Sequence, residues 1–311
     1  MNKNSKIYIA GHTGMVGSTL LKELSKREYG NIIYNQFSNL DLRNQKSVND
    51  YFEENEPEYV FLIAGKVGGI QANIKFPGTF LYDNLMISAN VINAAKNFGV
   101  KKLLVLGSSC IYPRLSEQPM KEEFLLTGKL EPTNEGYAIG KIAGIKLCEY
   151  YNKEYNTNFI SAIPPNLYGP GDNFSNEHSH VISALIKKFH RAKIQEEKSV
   201  QMWGTGSARR EFLFVEDLVD GIIFLMNHYD ENAPINIGSG YDVSIFELAN
   251  IVKEVIGFNG SFDWDTTKPD GMPQKLMDST RINNYGWNPK TNLQDGLQKT
   301  YKWYLENIIE K

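Results

Sequence analysis

Apolar and polar positions along this 311-residue chain follow two alternating rhythms. Ile7 to Ala10 is an unbroken apolar run, as in a strand buried on both faces, and Leu20, Leu21 and Leu24 behind it mark one face of a helix. The alternation continues with an expected strand over residues 31–37, a helix over 47–54, an apolar strand over 59–64, a helix over 84–98 and a strand over 101–106. Within 84–98, Leu85, Ala89, Ile92 and Ala95 share the face expected to be buried. Strands and helices in strict turn predict an α/β fold with a doubly wound parallel sheet. Beyond Pro164 the rhythm breaks, as where a chain leaves the sheet to build a smaller, interleaved α/β unit. There the pattern predicts a helix over 180–190, a strand over 200–204, a helix from 216 to 226, a returning strand over 235–238, and amphipathic helices over 244–256 and 293–309. Ser244 and Glu247 have the spacing of a capping box.

The turn after the first strand reads Gly11-His-Thr-Gly14-Met-Val-Gly17. Gly11 permits a tight turn, Gly14 lets a pyrophosphate approach the backbone, and Gly17 lets helix pack on sheet with the helix N-terminus facing the anion. Placed directly after a strand, the motif predicts a Rossmann-type dinucleotide site formed by Gly11, Thr13, Gly14, Met15, Val16 and Gly17. The second strand should end beside the adenosine ribose, where an acidic residue favours NAD and a basic one accommodates the 2′-phosphate of NADP. Asn35, Gln36 and Phe37 are uncharged and select neither; Asp41 and Leu42 follow at a distance that suits the adenine. The small residues Gly65, Gly68 and Gly69 after the 59–64 strand would let a cofactor lie against the backbone.

Candidate chemistry is concentrated between Gly107 and Lys141. Ser108 and Ser109 end an apolar strand, where an open α/β sheet delivers residues to its ligand crevice. Tyr137 and Lys141 lie four residues apart on one helix face, so the ammonium is expected to lower the phenol from its usual value of about 10. Such a tyrosine can exchange a proton with a substrate oxygen while a serine hydroxyl polarises the carbonyl. Cys110 follows Ser108 by two residues, whereas Cys148 reads as a core residue.

Charge and composition narrow the partners. A formal net charge of −3 with no dense basic block argues against a nucleic-acid surface. Two cysteines give no disulfide framework, the polar opening from Met1 to Lys6 does not read as a targeting segment, and no apolar run approaches the roughly 20 residues of a membrane span. A cytoplasmic setting is expected. Histidine and cysteine are sparse and lack ligand spacing, so no metal is expected.

Gly11-x-x-Gly14-x-x-Gly17 with Tyr137-x-x-x-Lys141 resembles the extended short-chain dehydrogenase/reductases. More closely, Gly11-His-Thr-Gly-Met-Val-Gly-Ser18, Gly107-Ser-Ser-Cys-Ile-Tyr-Pro113, Glu131-Pro-Thr-Asn134, Asn166-Leu-Tyr-Gly-Pro170, Ser179-His-Val181, Arg209-Arg-Glu-Phe-Leu213 and Lys268-Pro-Asp-Gly271 are similar to the GDP-L-fucose synthase family. The resemblance implies NADP(H), with NAD(H) as the other candidate, and a GDP-linked 4-keto-6-deoxy sugar that is epimerised at C3 and C5 and reduced at C4. It implies Cys110 and His180 as the acid/base pair for epimerisation, Tyr137 as proton donor, Ser108 as holder of the carbonyl oxygen, and Lys141 as a partner of the nicotinamide ribose. Leu106, Gly107, Ser108, Pro164, Asn166, Leu167 and His180 would complete the cofactor site; Lys188, Trp203, Arg210 and Asp270 would bind the sugar nucleotide, in a homodimer. The expected division is a cofactor domain over 1–165, with a returning segment near 214–240, and a nucleotide-sugar domain over 166–213 and 241–311. Thr13 and Asn35 stand where NADPH-favouring members carry arginine. Gly136 and Gly140 replace the usual Pro and Ala, which would reshape the pocket for another sugar such as a heptose. A C4 reductase acting on a GDP-4-keto heptose that another enzyme has already epimerised is the alternative reading.

Overall fold

The computed structural model describes residues 1–175, 180–268 and 270–309. The first half runs β1 (Ile7–Ala10), α1 (Met15–Lys26), β2 (Ile32–Ile33), α2 (Gln45–Asn55), β3 (Tyr59–Leu62), α3 (Ile70–Lys75), α4 (Pro77–Asn97), β4 (Lys102–Leu106), α5 (Glu135–Tyr155) and β5 (Phe159–Ile163). It continues through β6 (Asn166–Tyr168), α6 (Val181–Ile194), β7 (Ser199–Trp203), β8 (Arg209–Phe214), α7 (Val215–His228) and β9 (Ile235–Asn236). Last come β10 (Asp242–Ser244), α8 (Ile245–Ile256), β11 (Ser261–Asp265), β12 (Gln274–Lys275), α9 (Thr280–Asn284) and α10 (Leu293–Tyr304).

Six strands pair in parallel in the order β2-β1-β3-β4-β5-β9. Their apolar runs are continuous because both faces are covered. Ile7, Ile9, Phe61 and Leu104 pack with Leu20 and Leu24 of α1 and Leu218 and Ile222 of α7. Tyr8, Ala10, Val60 and Leu103 point the other way, onto Val48 and Phe52 of α2, Val91 and Ile92 of α4, and Cys148 of α5. The strand order reverses between β1 and β3, and the ligand crevice of such a sheet lies at that switch, outside the carboxyl ends of the strands.

Five sequence expectations change. The strand expected over 31–37 shrinks to Ile32–Ile33, with Tyr34 and Phe37 exposed beyond it. The helix expected over 84–98 starts at Pro77, which needs no hydrogen-bonded N–H in a first turn, and ends at Asn97. Leu85, expected in the core, is exposed; Asp83, Asn84 and Ser88 are buried instead, because α4 packs sideways on α5 as well as down on the sheet. That sideways contact explains Gly136 and Gly140. A Cβ at Gly136 would lie 2.6 Å from the Pro77 carbonyl oxygen, one at Gly140 2.9 Å from Asn84 Cβ, and one at Gly144 2.9 Å from Ser88 Oγ. These glycines bring two helices together and face α4, so they do not widen a sugar pocket. The helix expected over 293–309 is α-helical only to Tyr304 and continues as a π turn over Leu305–Ile309.

A second core holds Phe189 of α6, Leu248 and Val252 of α8, Leu297 of α10, and Phe212 and Phe214 of β8. Ser244 and Glu247 form the capping box of α8. β8 joins the parts: Arg209 to Glu211 pair with β10, Arg209 and Arg210 pair with β12, and Phe212 to Phe214 pair with β6. Glu211 is fully buried there, and its carboxylate accepts from Met277 N at 2.7 Å, Gly240 N at 2.9 Å and Ser239 Oγ at 3.1 Å. Burial pushes this carboxyl up to about 7 against those three donors.

The closest backbone approach is in the glycine turn, where a Cβ at Gly17 would lie 2.0 Å from the Gly11 carbonyl oxygen. Gly17→Ala is therefore expected to lower the unfolding free energy by about 1–3 kcal/mol, the usual cost of overpacking a fixed site. Urea titration of the two proteins measures it.

Candidate active site

The glycine turn has the form a dinucleotide requires. Gly11 sits at φ +101° against the backbone of Ala64, and Gly14 begins α1 without any side-chain cap, leaving the first-turn N–H groups for an anion. Thr13 is exposed, Met15 opens the helix and Val16 is buried. The buried Nδ1 of His12, whose ring stacks 4.4 Å from that of Tyr34, has no partner among the described residues. An uncapped helix end, a backbone cradle and an orphaned polar atom fit a pyrophosphate-containing cofactor.

Farther along the crevice, the expected contacts are partly redistributed. The Asp41 carboxylate is bound in two-pronged fashion by Arg43, whose other arm reaches Asp83 at 3.0 Å. Leu42 offers its carbonyl to Asn90 and packs against the sheet core. Gly65 clears space, but for side chains of the chain itself, since a Cβ there would meet Asn84 Oδ1 at 2.7 Å and Lys141 Nζ at 3.1 Å. Asn84 clasps both backbone groups of Lys66.

β4 delivers Leu106, Gly107 and Ser108 to the crevice beside β5. Gly107 N donates to Ala162 O at 2.8 Å, and Ser109 N to Pro164 O at 2.9 Å. Ser108 caps the short turn Ser109–Ile111 by accepting from Cys110 N at 3.4 Å. Tyr112, fully buried, anchors the far end of the turn through its bond to Asn236 Oδ1 at 2.6 Å. Asn166 donates to Glu211 O at 3.0 Å, which fixes Leu167 beside it in β6.

Lys141 is 5% exposed and donates to Leu106 O at 3.0 Å. Burial lowers its ammonium to about 8. The expectation that it depresses the Tyr137 phenol is not met. Burial pushes that phenol up, nearby Cys110 adds to the rise, and only the Ser108 hydroxyl pulls it down. The ammonium lies 6.0 Å from the centre of the tyrosine ring, which Phe80 supports edge-on. Tyr137 thus stays protonated near neutrality, the state needed to give a proton away.

Cys110 Sγ accepts from Asn134 Nδ2 at 3.1 Å and lies 3.5 Å from Lys275 Nζ. Sequence reasoning missed both partners. Asn134 stood inside a recognised segment without a role, and Lys275 comes to the thiol only because β12 pairs with β8, opposite Arg210. Arg210 is partly buried; burial pulls its guanidinium down while Cys110, Asp270 and Glu131 favour its charge. Among the described residues it donates to the carbonyls of Arg209 and Asp270 and to no carboxylate. Asp270 accepts from Thr205 N and Oγ1 through its carboxylate.

His180 is the N-cap of α6, with its Nδ1 3.7 Å from Asp172 Oδ1; no described contact joins it to Cys110 or Tyr137. Ser179, the first residue of the recognised segment, lies outside the described residues. Lys188 donates to Gln201 O at 2.7 Å and lines a cavity with half-exposed Trp203.

Residues 7–238 match the NAD dependent epimerase/dehydratase family. The chain is 52% identical to a putative GDP-L-fucose synthase 2 of Arabidopsis thaliana, over 100% of this chain and 95% of that one. It is 46% identical to the GDP-L-fucose synthase of Escherichia coli, over 97% of each chain. Its fold matches the GDP-mannoheptose C4 reductase of Campylobacter jejuni, solved with NADP bound, at a TM-score of 0.91 and 42% identity over 98% of this chain and 99% of that one. With the glycine turn, the Tyr137–Lys141 helix and the parallel sheet in place, the chain belongs to the NAD dependent epimerase/dehydratase family, within its GDP-L-fucose synthase group.

Proposed function

We propose that this protein converts GDP-4-keto-6-deoxymannose to GDP-L-fucose or a close analogue, epimerising C3 and C5 and then reducing C4 with NADP(H). One observation carries the epimerase half: Cys110 is surrounded by Asn134, Lys275 and Arg210, a polar and cationic setting that a cysteine kept only for packing does not need. Similarity to a C4 reductase supports the alternative, in which a GDP-4-keto heptose already epimerised elsewhere is only reduced.

The 4-keto group acidifies the hydrogens on C3 and C5. Cys110 Sγ accepts the carbon-bound proton, the electron pair moves into the enolate, and the charge gathers on O4. Ser108 Oγ and the Tyr137 hydroxyl are the donors on that oxygen. His180, oriented by Asp172, returns a proton to the opposite face of the carbon, which inverts it with no net oxidation. When bound, NADPH supplies the hydride for C4. Tyr137 gives its proton to O4, and Lys141, held by Leu106 O, would hold the nicotinamide ribose. Gly11 to Gly17 would carry the pyrophosphate. Arg210 would grip the diphosphate of the substrate, with Lys188 and Trp203 beyond it.

Residues 1–165 with 214–240 serve the cofactor in this reading, and 166–213 with 241–311 the sugar nucleotide. Exposed Tyr82 and Leu85 on α4 and Ile139 and Tyr150 on α5 support a homodimer through these two helices. Among the described residues no helix is long and apolar enough to cross a membrane, and a cytoplasmic setting suits the soluble cofactor.

Turnover of GDP-4-keto-6-deoxymannose with reduced cofactor in heavy water is expected to place two non-exchangeable deuterons in the product, at C3 and C5, read by mass. Cys110→Ser should abolish that exchange. Tyr137→Phe should slow reduction by about 10²- to 10⁴-fold while exchange, supported by the Ser108 donor that remains, continues at a reduced rate. A reduced product with no deuterium at those carbons would favour the C4-reductase reading. Because Arg43, the arginine of the loop after β2, is already held by Asp41 and Asp83, kcat/KM with NADH should fall within about tenfold of that with NADPH. Lys141 gives a signed pH effect. Between about 8 and 10.5 the unfolded chain holds a proton that the folded one has lost, so stability from this group rises with pH. Lys141→Met should lack that slope in urea titrations across the same range.

A further inference from the structure

A cavity of about 260 Å³ opens where the tips of β7 and β11 meet α3, lined by Gln71, Lys188, Trp203, Asp265 and Lys268. Resting on the GDP-sugar reading above, in which this cavity takes the base, we infer that Asp265 reads the hydrogen-bonding edge of guanine.

Three features point to a purine with guanine's particular edge. Trp203 ends β7 half-exposed, offering an indole face on which a base can stack. Asp265 is its direct partner in the parallel pairing of β11 with β7. The Asp265 carbonyl also accepts from Gly204 N at 3.0 Å, so the stacking ring and the carboxylate are tied to one turn. Oδ1 of Asp265 is occupied by Thr267 N at 3.1 Å and by Thr267 Oγ1, which fixes the carboxylate, whereas Oδ2 takes no hydrogen bond from the described residues. Guanine places two adjacent donors, N1–H and the 2-amino group, on one edge, and two acceptors, O6 and N7, beyond it. The carboxylate suits the donors, and the ammonium groups of Lys188 and Lys268 suit the acceptors. Adenine would turn the N1 lone pair toward the carboxylate, and a pyrimidine would cover less of Trp203. Arg210 reaches the same lobe from β8, where Asp270 holds both its carbonyl partner and Thr205 of the turn after Trp203. Diphosphate and base sites are thereby linked through one segment.

Isothermal titration of the full chain with GDP, IDP, ADP and UDP tests the assignment, because IDP differs from GDP only in lacking the 2-amino group. The wild type should bind GDP at least about tenfold more tightly than IDP. Asp265→Asn should weaken GDP by about tenfold or more and bring the GDP:IDP ratio close to one, with NADPH affinity unchanged. Thr267→Val loosens the turn but keeps the carboxylate, so it should preserve the ratio. Equal binding of GDP and IDP by the wild type, or an unchanged ratio in Asp265→Asn, overturns the inference while leaving the GDP-sugar reading in place. Failure of the wild type to bind GDP at all overturns both.

Discussion

The buried ammonium of Lys141 is the constraint around which the active site is built. A cation taken out of water must be met by oriented oxygens, and Lys141 meets the carbonyl of Leu106 at the end of β4. That bond fixes the rotation of α5 against the sheet, and with it the position of Tyr137 one turn earlier. It also dictates the neighbours. Gly65 must lack a side chain to leave room for the ammonium and for Asn84, and Asn84 in turn holds the loop at Lys66. α4 can bring Asn84 there only because Gly136, Gly140 and Gly144 let the two helices touch.

Seen from the thiol, the same site is assembled by a different route. Cys110 lies on a turn pinned between Ser108 and Tyr112, but its polar partners arrive from far along the chain. Lys275 reaches it from β12, where it is the cross-strand partner of Arg210 in β8. β8 can hold this pairing because Glu211, buried beside them, accepts three donors from the loops that follow β9 and β12. A buried carboxyl raised to about 7 is a costly anchor, and its three bonds are what make it tolerable. The Tyr137 and Cys110 sides of the site therefore depend on separate supports.

Much of this was legible in the chain itself. Ile7 to Ala10, the glycine turn and the Tyr137–Lys141 spacing are local signals, because strand burial, turn geometry and helical period act over a few residues. The fold class and cofactor site followed from them. Expectations failed where a residue's environment comes from a distant segment. Leu85 has the spacing of a core position, yet the helix turns it outward because α5 claims the adjacent face. Lys141 has the right spacing to act on a phenol, yet burial shifts both groups in directions that a helical wheel does not contain.

By itself the sequence determined the parallel sheet, the glycine turn after its first strand, and the residue types able to exchange protons with a keto sugar. Tertiary structure alone decided which of those groups meet. It set Asn134 and Lys275 on the Cys110 sulfur, turned the unusual glycines toward α4 instead of the pocket, and placed Asp265 beside Trp203. The physical reason is range: backbone propensity and periodicity are written within a single element, whereas charge compensation and steric clearance are settled between elements separated by tens to hundreds of residues.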